Sequence, residues 1–80
     1  LLHNRNMSNA NWTGRILRTL EYIHSHLGEE LAAPRLAEIA GFSLHHFHRI
    51  FRGMIGESVM EYTRRLRLEQ AAVHLKYGQE

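Results

Sequence analysis

Gly41 stands between two short apolar-periodic stretches, and the spacing around it restricts the fold more than any other feature of the chain. Counted from Ala33 as the first position, Leu36 is fourth, Ala37 fifth, Ala40 eighth, Gly41 ninth and Phe42 tenth. Phe47 follows as fifteenth and Ile50 as eighteenth. A small residue at Ala37 lets a following helix cross close above it. A glycine at the turn permits a positive φ that a residue with a Cβ resists. The larger apolar residues then close the space between the two helices. This is the spacing of a helix-turn-helix, whose second helix can enter the major groove of DNA.

The rest of the chain fits one small all-α domain. Eighty residues leave room for a single compact unit with a modest core. The absence of cysteine excludes a disulfide framework and any thiolate metal site. A hydrophobic fraction of 44% is too high for disorder, and no run approaches the roughly 20 apolar residues of a membrane helix. A catalytic cleft normally needs a larger scaffold, and no serine sits in an activated setting, so no enzyme is expected.

Residues 1–12 are rich in Asn and show no sustained periodicity, which predicts a flexible N-terminal arm. From Thr13 onward the chain reads as four helices. The first, about 13–27, carries Ile16, Leu17, Leu20, Ile23 and Leu27 on one stripe, with Thr13 as N-cap and Gly28 as stop. The second, about 33–40, has Pro34 in its first turn, where a missing N–H is harmless. Ser43 caps the third, about 44–54, which Gly53 and Gly56 close. Ser58 and Glu61 form a capping box for the fourth, which runs to about Tyr77 with a buried stripe of Val59, Tyr62, Leu66 and Val73. The division expected is an arm over 1–12, a helix-turn-helix subdomain over 13–56 and a linker helix over 57–80.

The third helix separates two chemistries. At ~100° per residue, with Leu44 at zero, Phe47, Ile50, Phe51 and Met54 fall at roughly 300°, 240°, 340° and 280°. His45, His48, Arg49 and Arg52 fall at roughly 100°, 40°, 140° and 80°. No acid lies between Ser43 and Gly56. Residues 43–68 hold Arg49, Arg52, Arg64, Arg65 and Arg67 against Glu57 and Glu61, five cations less two anions, a net +3. Residues 1–42 hold four arginines and four glutamates and sum to zero. Such a segregated face suits a polyanion.

On DNA, Arg49 is the candidate for a fork to guanine O6 and N7, with His45 and His48 beside it as base readers. His46, Arg52 and the helix terminus at Ser43 are placed for backbone phosphate, and Arg15 and Arg18 on the first helix add further phosphate contacts. A metal on His45-x-x-His48 lacks a third ligand, since no Cys or Asp exists and that helix holds no glutamate. Trp12, Tyr22, Tyr62 and Tyr77 are expected in the core rather than on bases. The alternative from another class is a helical protein-interaction module that makes no direct DNA contact.

The run Leu36-Ala37-Glu38-Ile39-Ala40-Gly41-Phe42-Ser43, then His46-Phe47-His48-Arg49-Ile50-Phe51-Arg52, resembles the AraC/XylS family of bacterial transcriptional regulators. Gly56-Glu57-Ser58, Glu61-Tyr62 and Arg65-Leu66-Arg67-Leu68-Glu69-Gln70-Ala71-Ala72 extend the resemblance over about residues 15–76. It implies the first of two helix-turn-helix subdomains plus the long helix that joins them, with the second subdomain expected after about Gln79. It puts the family's base-reading positions on His45, His48 and Arg49. The chain departs at Ala32 and Ala33, where the family usually has a serine and an apolar residue. The resemblance implies a cytoplasmic protein with double-stranded DNA as partner and leaves room for RNA polymerase. An effector ligand would act only through a domain outside these 80 residues, and neither a cofactor nor a membrane is expected.

Overall fold

The computed structural model of the chain describes the backbone of residues 2–77 and the side chains of residues 11–75. Four helices follow in order: α1 over Leu2–Ser25, α2 over Ala33–Ala40, α3 over Leu44–Ile55 and α4 over Val59–Tyr77. Among the described residues there is no strand, and the fold is all-α.

The start of α1 departs from the sequence expectation. Helical backbone is continuous from Leu2, so Thr13 lies inside the helix rather than at its cap, and residues 2–12 of the expected arm are helical, while residue 1 lies outside the described residues. No proline interrupts the segment, and Gly14 lowers helix stability by only ~1 kcal/mol relative to alanine. Gly28 does not end α1 with a left-handed cap, because positive φ is confined to Gly41 and Gly56 among the described residues. The helix closes at Ser25 and the chain turns through a His26 N–H bond to the Ile23 carbonyl at 3.1 Å.

The turn around Gly41 has the geometry its spacing requires. Gly41 takes φ +77°, its N–H donates to the Glu38 carbonyl and the Phe42 N–H donates to that of Ala37, both at 3.0 Å. These two bonds satisfy carbonyls that the end of α2 would leave open. Gly56 ends α3 in the same left-handed region, at φ +94°. Gly53 falls inside α3 instead of closing it. At the start of α4 the capping box is reciprocal: the Ser58 N–H reaches Glu61 Oε1 at 2.9 Å and the Glu61 N–H reaches Ser58 Oγ at 3.1 Å.

The core gathers Ile16 and Ile23 of α1, Leu31, then Leu36, Ala37 and Ala40 of α2, Phe47 and Phe51 of α3, and Val59 of α4. Phe51 connects the layers, with its ring 5.7 Å from Phe47 and 5.6 Å from Tyr62. Two threonines are buried with them. Thr19 donates to the Arg15 carbonyl and Thr63 to that of Met60, so neither hydroxyl is left without a partner. Tyr62 is half-buried, its hydroxyl meets His24 Nε2 at 2.8 Å, and burial raises its pKa above the ordinary phenol value.

The expected stripes are only partly buried. Leu17 is exposed, and along α4 burial ends near Leu66, so Leu68, Val73 and Leu75 face solvent. The three helices beneath α4 support only its first turns. Its middle is held by Arg67, whose Nε donates to the Leu27 carbonyl at 3.1 Å and whose Nη2 donates to that of Glu29 at 2.7 Å.

Candidate nucleic-acid interface

Ser43 sets where α3 begins. Its backbone is extended, and its Oγ accepts from the His46 N–H at 3.2 Å, which terminates one of the open donors of the first turn. From that start the helical period carries Phe47 and Phe51 into the core. The same period leaves His45, His48, Arg49 and Arg52 on the open face, all four exposed. The structure therefore brings together the three side chains expected to read bases and Arg52. Leu44, at the margin of the apolar face, is exposed, and so is Met54 in the last turn of α3.

The residues expected on phosphate divide into two groups. His46 is exposed beside the cap, with Nδ1 3.3 Å from Ser43 Oγ. Arg18 is exposed and makes no hydrogen bond to a described residue. Arg52 faces solvent, and its charge helps to lower the pKa of Glu61, although the hydrogen bonds from Ser58 are the larger cause. Arg15 is engaged elsewhere. Its Nε donates to the Ala40 carbonyl at 2.8 Å, its Nη2 donates to that of Gly41, and its guanidinium lies 4.2 Å above the Phe42 ring.

The +3 segment is accordingly less open to a ligand than its sum suggests. Arg65 bridges Glu57 at 2.6 Å and Glu69 at 3.0 Å, which raises its pKa further above the ordinary value, Glu57 contributing most. Arg67 is held by loop carbonyls. Arg49, Arg52 and Arg64 are the three of the five that make no hydrogen bond to a described residue. Among the described residues no group of three His or Glu side chains converges as a metal site.

Sequence reasoning missed two features. Trp12, expected in the core, is 46% exposed and meets Phe42 edge-on with centroids 6.2 Å apart. Arg15 acts as a brace across the turn, and its signal was its polar character at the edge of an apolar stripe. Tyr22 is half-buried and stacks on His26 at 3.9 Å, whereas the side chain of Tyr77 lies outside the described residues.

Comparison with known proteins gives consistent relatives. The chain is 40% identical over 62 residues to an uncharacterised HTH-type transcriptional regulator of Bacillus subtilis, YbfP, covering 78% of this chain and 21% of that protein. It is 32% identical over 72 residues to the bifunctional transcriptional activator/DNA repair enzyme AdaA of the same organism, covering 90% of this chain and 33% of AdaA. The right origin-binding protein of Escherichia coli is 33% identical over 63 residues, 79% of this chain and 22% of that protein. The chain thus spans between about a fifth and a third of the curated relatives it matches. No protein-family model matches the chain. No solved structure matches it either. No helix of the described residues is long and apolar enough to cross a membrane.

Proposed function

Since the chain belongs to the AraC/XylS family of helix-turn-helix transcriptional regulators, we propose that it binds double-stranded DNA sequence-specifically, with α3 in the major groove. His45, His48 and Arg49 read base edges in this assignment, and Arg49 forks to guanine O6 and N7. His46, Arg52, Arg18 and the Ser43 terminus of α3 meet backbone phosphate and fix the register. Arg15 serves the interface by holding the turn between α2 and α3. The observation that carries this reading is the open face of α3, which presents four nitrogen-bearing side chains and no carboxylate.

On the same reading the unit comprises one helix-turn-helix subdomain over residues 13–56 and a helix that leads from it. It performs no catalysis and works in the cytoplasm. RNA polymerase and an effector ligand would be partners of the longer protein. A single recognition helix makes few phosphate contacts, so the isolated unit binds weakly and with steep salt dependence. Repeated selection from a random duplex pool at low salt tests the proposal. Enrichment of one sequence, with affinity that falls as salt rises, is the expected result. Salt-independent binding with no enriched sequence would instead favour the protein-interaction module, whose apolar contacts tolerate salt.

A further inference from the structure

Beside α3 lies a depression of about 520 Å³ that the reading of α3 alone does not use. Trp12 and Arg15 of α1, Phe42 of the turn, and His46, Arg49 and Ile50 of α3 form its walls. We propose that this depression seats the sugar-phosphate backbone of the duplex bound by α3, with Trp12 as a DNA-contacting wall. The proposal rests on the DNA-facing assignment of α3 and adds Trp12 and the depression beside it to the contact surface.

Charge and shape argue for this occupant. The lining holds two arginines and a histidine and no carboxylate. The Arg15 guanidinium is fixed by carbonyls of Ala40 and Gly41, so its charge stands at the rim without further ordering. Trp12, Phe42 and Ile50 supply an apolar floor of the kind a deoxyribose packs against, while the cations suit the phosphate next to it. Trp12 adds an indole N–H, a donor with no acceptor role. A large aromatic held at 46% exposure by an edge contact to Phe42 is amphipathic at the place where a polyanion would pass. Continuity completes the case. Arg49 and His46 border both the depression and the open face of α3, so a strand leaving the groove stays on one surface.

The chain holds one tryptophan, which makes the test direct. Binding of mixed-sequence duplexes at low salt is followed by anisotropy of a labelled strand. Acrylamide quenching of tryptophan emission is measured on the same complexes with unlabelled duplex. At saturation, quenching is expected to fall at least about twofold as the indole becomes covered. Trp12→Ala is expected to weaken binding roughly tenfold, alike for all sequences, because the contact is to backbone. Trp12→Phe, which keeps the ring against Phe42, should retain the fold and lose less affinity. Duplex binding with unchanged quenching overturns the seat alone and leaves α3 as the DNA-facing helix. Absence of duplex binding overturns both.

Discussion

The guanidinium of Arg15 closes the carboxyl end of α2, with Nε donating to the Ala40 carbonyl at 2.8 Å and Nη2 donating to that of Gly41. A cation there also meets the negative end of the helix dipole. The brace depends on the glycine beneath it, since a Cβ at position 41 would stand 2.8 Å from Arg15 Nη2. Gly41→Ala is therefore expected to destabilise the fold by about 2 kcal/mol or more. Roughly 1–2 kcal/mol of this comes from the left-handed backbone and the rest from the displaced guanidinium. Arg15→Ala should cost about 1–3 kcal/mol. Urea unfolding of both variants and of the double variant checks this, with the double variant less destabilised than the sum of the singles.

Arg49 and Arg52 should fail differently on DNA. Arg49→Ala is expected to cost ~1–3 kcal/mol of binding and to relax preference at one base pair. Arg52→Ala should weaken all sequences alike and flatten the dependence of log affinity on log salt by about one unit. Titrations of selected and scrambled duplexes across a salt series separate the two. Equal base preference in Arg49→Ala would displace it from the groove.

Ala32 opens α2 with extended backbone, φ −83° and ψ 134°, and no side-chain cap bond. The conformation already suits a hydroxyl or carboxylate cap. Ala32→Ser or Ala32→Asp is expected to stabilise the fold by about 0.5–2 kcal/mol, seen as a raised thermal midpoint.

The capping box makes a pH prediction with a definite sign. Hydrogen bonds from the Ser58 backbone N–H and then its side chain lower the Glu61 pKa below its ordinary 4.5. A depressed carboxylate contributes stability that is fully present above its unfolded pKa and lost as pH falls through the folded value. The thermal midpoint should hold from neutral pH down to about 5 and then decline on this account. Glu61→Gln should remove that part of the decline, whereas Ser58→Ala should lower the midpoint at neutral pH, costing about 0.5–2 kcal/mol.

The turn and its core were legible because they are local and sterically strict. Ala37, Gly41 and Phe47 each fill a place only a narrow set of residues can take, and position along the chain is enough to find them. The capping box was legible for the same reason, since Ser58 and Glu61 are three residues apart. The contacts of Trp12 and Arg15 escaped the sequence because they are made to Phe42 and Ala40, some 25 to 30 residues away, which no period within one helix reports. Val73 was expected inside because a helical stripe says which face is apolar, not how far along the helix the neighbours reach. The sum of charges misled in a similar way: Arg65 and Arg67 are engaged by Glu57 and by the loop after α1, contacts that only folding creates.

Arg67 has one further effect. By tying the middle of α4 to the Leu27 and Glu29 carbonyls, it makes the outer half of the helix a cantilever. Nineteen residues of α4 at ~1.5 Å each give a rod of about 28 Å. The outer half of the helix takes its azimuth and tilt from the loop between α1 and α2. A single guanidinium thus sets the angle at which α4 leaves the three helices beneath it.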